Sequence, residues 1–290
     1  MDTFDGRTVF VTGGARGIGL AMARAFAREG AKVAVADLDA AELDRARAEL
    51  AELTEVAAFE LDVRDRTAFE RVADEVESRL GPVSVLCNNA GVGSGLGLAE
   101  MTYAHWDLVL GVNLGGVVNG VQTFLPRMLA RGGPGHVVNT SSGAGLAVMA
   151  GTEFMYHTAK YAVVGMSEAL RLLLEPHGIG LTVLCPGLVA TGIAATSRAS
   201  EPAAARTAEE QVAVDQAWTV RETLLGELGL DPEQVGDQVL AAIRADQLYL
   251  HTDRMMVDAI AARTTALLDA MPEETDHDRA VAAAMRRHLG

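Results

Sequence analysis

Tyr156 and Lys160 stand four residues apart in the run YHTAK, inside a segment (Phe154 to Glu175) whose apolar residues recur at helical spacing: Ala162, Val163, Met166, Ala169, Leu170 and Leu173. Residues four apart on a helix share a face, with Cβ atoms about 5–6 Å apart. A phenol and an ammonium are therefore neighbours. A free phenol ionises near pH ~10, and an adjacent ammonium favours the phenolate. Such a pair can take a proton from an alcohol or return one to a carbonyl. On most helices the same spacing is only two neighbours on one face. The chemistry rests on what the rest of the chain places beside them.

The chain opens with a short apolar run, Thr8 to Val11, followed at once by TGGARGIG (12–19) and by helical periodicity at Ile18, Ala21, Met22, Ala25 and Phe26 up to Gly30. Strand, glycine turn and helix in this order suit a pyrophosphate. Glycines let the backbone approach, and free N–H groups at the helix N-terminus bind the anion. The glycines at 13, 17 and 19 depart from the usual G-x-G-x-x-G, and glycines also simply make turns. Asp37 ends the second strand, Lys32 to Ala36, where an acid can accept hydrogen bonds from adenosine ribose hydroxyls. The other reading of Asp37 is a solvated turn or a cap for the helix Ala40–Leu53.

Further strands are predicted at Val56–Leu61, Val83–Cys87, His136–Thr140, Leu181–Cys185 and Gln247–His251. Helices are predicted at Arg66–Leu80, Tyr103–Arg131 and Asp231–Ala245, the last with the favoured Asp-Pro start. Strands alternating with helices make a doubly wound α/β fold, a seven-stranded parallel sheet with helices on both faces. Asp62-Val63, Asn88 to Gly91, Ser141-Ser142 and Pro186 to Thr191 all follow strand ends, where such sheets bind ligands. Asn113 lies within a predicted helix, where an Asn is a surface residue or a kink.

With 290 residues, 49% hydrophobic and 22% charged, the chain can bury a sizeable core. A net charge of −15 argues against nucleic acid and anionic membranes as partners. No uninterrupted apolar run reaches transmembrane length, and residues 1–6 carry no signal pattern, so a cytoplasmic location is expected. Cys87 and Cys185 each follow an apolar run and are read as buried hydrophobes. No metal site is expected; His277 and His288 are too widely spaced and read as solvated helix faces.

Taken together, TGGARGIG (12–19), DV (62–63), NNAG (88–91), Asn113, SS (141–142), YHTAK (156–160) and PGLVAT (186–191) resemble the short-chain dehydrogenase/reductase family, in family order over about residues 5–192. The resemblance implies a Rossmann-type fold, an NAD(P) cofactor and hydride transfer at a carbonyl or alcohol carbon. It implies that Tyr156 is the general acid/base and that Lys160 lowers its pKa and grips the nicotinamide ribose. Ser142 would polarise the substrate oxygen, and Asn113 would kink its helix and pass protons from Lys160 to solvent. The implied cofactor contacts are Gly13, Arg16, Gly17, Ile18, Gly19 and Asp37, then Asp62 and Val63 at adenine, and Asn89, Ala90 and Gly91 on the ribose side. Pro186, Gly187, Val189 and Thr191 would meet the nicotinamide, while Asn88 ties strands together. Asp37 implies NAD over NADP, because its carboxylate would face a 2′-phosphate at close range. Arg16 is read as a contact to its own loop or to the pyrophosphate.

Residues 192–229 resemble the family's substrate lid, ordinary surface helix being the other reading, within a main unit of residues 1–252. Arg198 and Arg206 are its noted cations. With Val92–Leu98, Ala144–Met149 and Leu188 the lid offers aliphatic walls for an apolar, possibly bulky, secondary alcohol or ketone. Residues 253–290, with helices at Met255–Met271 and Asp276–Leu289, extend past the usual family end and are expected to pack on the same domain or meet a subunit. Three stretches (111–129, 134–138 and 230–250) are similar to the NAD-dependent Cα-dehydrogenases of lignin-derived aryl ethers. A homodimer or homotetramer is implied. The alternative to an enzyme is a non-catalytic nucleotide sensor or structural protein on the same fold.

Overall fold

The computed structural model describes residues 1, 3–94, 101–148, 154–203 and 206–289. Seven strands, β1 (Thr8–Thr12), β2 (Lys32–Asp37), β3 (Val56–Glu60), β4 (Val83–Asn88), β5 (Gly135–Thr140), β6 (Ile179–Cys185) and β7 (Tyr249–His251), form one sheet. Their order is β3-β2-β1-β4-β5-β6-β7 and every pairing is parallel. This is the doubly wound, Rossmann-type sheet that the sequence predicts. Connectivity reverses between β1 and β4, and the crevice outside the strand ends at that point is where such sheets hold ligands.

The sheet is buried on both faces because its strands carry small and β-branched residues on both sides. In β1, Val9 and Val11 enter one core while Phe10 enters the other. The first core is closed by α1 (Gly17–Arg28), α2 (Ala40–Leu50) and α9 (Pro232–Arg244). The second is closed by α3 (Arg66–Leu80), α5 (Gly116–Arg131) and α6 (Phe154–Leu174), around Phe10, Phe69 and Phe124. The Phe10 and Phe124 rings lie 4.7 Å apart. Cys87 and Cys185 are free and buried.

The predicted helix over 103–131 is not continuous. It breaks into α4 (Tyr103–Leu110), a π-helical turn over Gly111–Gly115, and α5. Asn113 sits in that turn, fully buried, and its Nδ2 donates to the Val109 carbonyl (3.0 Å) and to the Val92 carbonyl (2.8 Å). By composition Tyr103–Arg131 is apolar enough to cross a bilayer. Its buried Asn113 and Asn119, however, bond to sheet-edge backbone at Val92 and Val63, which marks it as a sheet-covering helix.

Residues 192–229 form α7 (Ile193–Ser200) and α8 (Ala208–Leu228), joined through Trp218, Val214, Leu225 and Ala194. Beyond β7 come α10 (Val257–Asp269) and α11 (Asp276–Leu289). Met256, just before α10, is buried against Gly143, and Arg263 of α10 lies over the Tyr161 ring at 5.2 Å.

A buried polar chain fixes α6 to the sheet. Asn88 Nδ2 donates to Asn139 Oδ1 (2.9 Å), Asn139 Nδ2 to Ser167 Oγ (3.0 Å), and Ser167 Oγ to the Val163 carbonyl (2.7 Å). Asn88 therefore ties strands, as read from sequence. Gly120 of α5 packs directly on it, and a Cβ there would overlap Asn88 Oδ1. Gly120→Ala is expected to lower unfolding free energy by about 1–3 kcal/mol through overpacking. The check is the urea midpoint at unchanged slope; a midpoint equal to wild type would show that α5 can move off the sheet.

Candidate active site

α6 begins beside the serine loop and runs back along the sheet, so its first two turns carry Tyr156 and Lys160 to the carboxyl ends of β5 and β6. Lys160 is buried, at 3% exposure, and its Nζ donates to the Thr140 carbonyl at 3.0 Å. Its ammonium lies 5.4 Å from the centre of the half-buried Tyr156 ring. The two serines after β5 divide the work. Ser141 is buried and donates to the Lys160 carbonyl (2.8 Å), binding the loop to α6. Ser142 is the half-buried one; its Oγ accepts from the Ala144 N–H (3.1 Å), and its hydroxyl lies close enough to the Tyr156 phenol to pull that group's pKa down. His157 Nδ1 lies 2.7 Å from the Ala144 carbonyl and, as its donor, fastens the same loop from α6.

Asn113 reaches this cluster from the other side. Its Oδ1 accepts from the Val92 N–H (3.3 Å), and a Cβ at Gly91 would stand 2.9 Å from that Oδ1 and 3.6 Å from Lys160 Nζ. Gly91 is thus the gap through which Asn113 and Lys160 come together. Asn113, Ser142, Tyr156 and Lys160 are all brought to one place.

The electrostatics qualify one expectation. Burial pushes the Tyr156 phenol up, and the bond with Ser142 pulls it part of the way back; the predicted lowering by Lys160 is absent. The reason lies with Lys160 itself. Desolvation lowers its own pKa to about 8, and its Nζ bonds to a carbonyl rather than to the phenol. Burial likewise raises the Cys185 thiol to about 12, leaving it inert as a nucleophile.

The glycine turn lies at the β1/β4 crevice. Gly13 and Gly17 have left-handed φ values of 61° and 54°, which suit glycine. α1 starts at Gly17 without a side-chain cap and with no acid in its first turn, so its leading N–H groups suit an anion. Ile18 and Thr191 are half-buried beside it, and Thr191 Cγ2 would be 3.0 Å from a Cβ at Gly17. Asp37, at the end of β2, accepts from Ala15 N–H (3.2 Å) and Leu38 N–H (2.8 Å). These features fit a dinucleotide: uncapped donors for the pyrophosphate and an oriented carboxylate where the ribose would lie.

Other predicted contacts are placed differently. Arg16 bonds neither its loop nor open crevice; it pairs with Asp39. Asp62 is gripped by Arg64, with Nη2 at 2.6 Å, and that bond holds its carboxyl below the usual range. Val63 and Val189 turn their side chains into the cores, at 7% and 4% exposure, leaving backbone as the part that can meet a ligand. Asn89 Nδ2 donates to the Thr12 (3.1 Å) and Gly13 (3.3 Å) carbonyls, so its side chain braces the turn, while Ala90 N–H donates to Thr12 Oγ1 (3.1 Å). Pro186 accepts from Gly143 N–H (2.9 Å).

Residues that the sequence reading did not single out complete the frame. Gly187 N–H donates to Thr252 Oγ1 (3.0 Å), so the segment after β7 holds the Pro186-Gly187 turn. Ser197 of α7 accepts from Gly93 N–H (2.7 Å) and Arg221 of α8 reaches the Ser94 carbonyl (3.4 Å), clasping α7 and α8 to the loop after β4. Arg221 is a third cation of the 192–229 segment beyond Arg198 and Arg206, which pair with Asp215 (2.7 Å) and Glu201 (3.3 Å). No composition signal marks Thr252, Ser197 or Arg221. Of the expected pocket walls, residues 95–98 and Met149 lie outside the described residues.

The chain matches the family model described as short chain dehydrogenase over residues 7–202. It is 35% identical to a C alpha-dehydrogenase of Sphingobium sp. SYK-6, across 97% of this chain and 92% of that protein. It is 38% identical to a 1-deoxy-11-beta-hydroxypentalenate dehydrogenase of Streptomyces exfoliatus, across 85% and 83%. The crystal structure of a short chain dehydrogenase/reductase from Burkholderia phymatum in complex with NAD superposes with a TM-score of 0.84 at 33% identity, covering 95% of this chain and 99% of that one.

The depressed Lys160 gives a pH signature of stability. Its folded pKa, about 8, lies below the ordinary lysine value, so the unfolded chain binds more protons between about pH 8 and 10.5. Stability from this group therefore rises with pH through that window and is flat below it. Against Lys160→Met, wild type should gain on the order of 2–3 kcal/mol between pH 7 and pH 10. Urea titrations at both values check this; a constant gap between the two proteins would mean the ammonium is not strained by burial.

Proposed function

The chain belongs to the short-chain dehydrogenase/reductase family, and from that premise we propose that it transfers hydride between NAD(H) and a secondary alcohol or its ketone. The observation that carries this is the meeting of the Tyr156 phenol, Ser142 hydroxyl and Lys160 ammonium at one strand end, across the crevice from an uncapped glycine turn. Bound NAD(H) supplies the hydride acceptor or donor. In the oxidative direction Tyr156 takes the hydroxyl proton of the substrate while Ser142 donates a hydrogen bond to the same oxygen. Tyr156 acts there as the phenolate and becomes the neutral phenol. In the reductive direction it returns the proton, and the Lys160 ammonium, 5.4 Å from its ring, faces the phenolate that remains, while Asn113 holds the Val92 loop beside the route by which the proton leaves. Gly13, Gly17 and Gly19 line the pyrophosphate, Asp37 takes the adenosine ribose, and Pro186 to Thr191 face the nicotinamide. Asp62, Val63, Asn89, Ala90 and Gly91 contribute backbone along the adenosine.

The substrate proposed is an apolar, bulky secondary alcohol, with aryl carbinols first among the classes. Leu188 and Ile193, half-buried against the Trp218 cluster of α7 and α8, are described aliphatic residues that support this reading. The T-shaped Trp106–Phe154 pair, 5.3 Å between centroids, packs in one cluster with Tyr156. The resemblance of residues 111–129, 134–138 and 230–250 to the Cα-dehydrogenases of aryl ethers favours the aryl class, in keeping with the likeness to a C alpha-dehydrogenase. Likeness to a 1-deoxy-11-beta-hydroxypentalenate dehydrogenase keeps the requirement at a bulky carbinol. Exposed Val118 and Leu129 on α5, and Leu172 and Leu173 on α6, support self-association through these helices. Light scattering at micromolar concentration should give a dimer or tetramer; a monomer alone would refute it.

Tyr156→Phe keeps the ring and removes the proton carrier. Its kcat should fall at least ~100-fold while NADH binding persists. The assay is NAD⁺ reduction across a panel of aryl, terpenoid and small anionic carbinols. Wild-type turnover by the variant would remove Tyr156 from the mechanism. Tight NADH binding with no turnover on any carbinol or ketone would instead leave a nucleotide sensor.

A further inference from the structure

Arg16 stands at the N-cap position of α1, where a basic side chain would meet a 2′-phosphate on the adenosine ribose. It is not directed there. Its Nη2 lies 2.5 Å from Asp39 Oδ2, with both side chains partly exposed. Asp39 is held in place by backbone: its Oδ1 accepts from the N–H groups of Ala41 (3.1 Å) and Glu42 (3.2 Å), capping α2. One carboxylate oxygen is therefore fixed by the helix, and the other is presented to the guanidinium. Asp37, two residues earlier, is oriented in turn by the N–H groups of Ala15, Leu38 and Asp39. An Arg16–Asp39 pair thus sits close in the chain to a second carboxylate, Asp37, and the three charges sum to a negative one.

We propose that Asp39 is a second specificity residue, acting at a distance from the cofactor: it draws Arg16 away from the 2′ position and cancels its charge, so that Asp37 is left unopposed against a 2′-phosphate. This rests on NAD(H) being the cofactor and names the device that excludes NADP(H). Asp37 alone would be a weaker discriminator, because a guanidinium on the next turn could swing over and pair with the phosphate, bidentate and charge-assisted. With Asp39 present, that swing requires breaking an existing ion pair and exposing a second carboxylate to the dianion. Asp39 is thus a positioning residue, and its effect must pass through Arg16.

The test is a double-mutant cycle on nucleotide affinity, read by fluorescence titration of NADH and NADPH at fixed ionic strength, with no turnover required. Asp39→Asn preserves the α2 cap, since Asn accepts the same backbone bonds, and removes the charge that holds Arg16. The ratio of the NADPH to the NADH dissociation constant should fall at least about tenfold. Asp39→Ser, which also caps, should give the same shift. In an Arg16→Ala background the Asp39→Asn change should move the ratio by no more than about twofold. An unchanged ratio in the single variants overturns the proposal. So does a gain that persists without Arg16, which would make Asp39 a direct repulsive charge. If wild type binds neither nucleotide, the cofactor reading fails and takes this inference with it; NADH binding with an unmoved ratio sinks this inference alone.

Discussion

An ammonium held out of water at the carboxyl edge of a parallel sheet is the constraint on which the rest depends. Lys160 has 3% exposure and one carbonyl partner, Thr140. An unpaired buried charge is costly, and the structure meets the cost by lowering the lysine's own pKa. That fixes the relative height of β5 and α6 within a hydrogen-bond length. The polar chain Asn88–Asn139–Ser167 sets the same register one layer deeper, and Ser141 repeats it from the loop. Three separate bonds therefore agree on where α6 lies, and Tyr156 inherits its position one turn earlier. Redundant positioning of this kind suits the proton-transfer role proposed for Tyr156, since small misplacements are expensive in rate.

The same site is braced from a distant part of the chain. Thr252 holds Gly187, and Met256 seals Gly143, so the segment after β7 touches both loops that flank Tyr156. A Cβ at Gly187 would overlap the Asp253 carboxylate, so that side chain packs directly on the Pro186-Gly187 turn. On the opposite side α7 and α8 grip Gly93 and Ser94. These two bonds tie α7 and α8 to the loop after β4. Movement of α7 and α8 would carry the 92–94 loop with it, and through Val92 would reach Asn113.

Periodicity and strand-end chemistry made the sheet, its order of elements and the pairing of Tyr156 with Lys160 legible in the sequence. These are local signals: two-residue alternation, four-residue helix spacing, polar residues stranded after apolar runs. Ser142 and Asn113 are picked out instead by the resemblance to the short-chain dehydrogenase/reductase family. What the sequence did not disclose depends on side-chain partners far apart in the chain or on rotamer. Arg16 looks like a phosphate ligand until Asp39 is seen beside it. Asp62 looks free until Arg64 folds back on it. Val63 and Val189 are apolar residues at a crevice edge, and only packing decides that their side chains point to the core. The π-helical turn at Gly111–Gly115 is similarly hidden, because its cause is the bond from Asn113 to Val109 together with the pull of Val92.

The glycine turn carries one more lesson about motif residues. A Cβ at Gly13 would stand 2.9 Å from Ala90 Cα, and one at Gly19 would overlap the Gly13 carbonyl and crowd the Asn89 amide. The glycines are therefore required by the fold before any nucleotide is considered, because the turn is pressed against the end of β4. Asn89 completes that contact by donating to the carbonyls of Thr12 and Gly13 and accepting from Thr140 Oγ1 (3.3 Å), so one amide joins the ends of β1, β4 and β5. The crevice at the switch point is in this way built by protein–protein contacts, and its donors already face it. A preorganised cradle loses little conformational freedom when an anion arrives. It follows that changes at Asn89 act on the stability of the turn, whereas Asp39 caps α2 and pairs with Arg16 without bridging these strand ends.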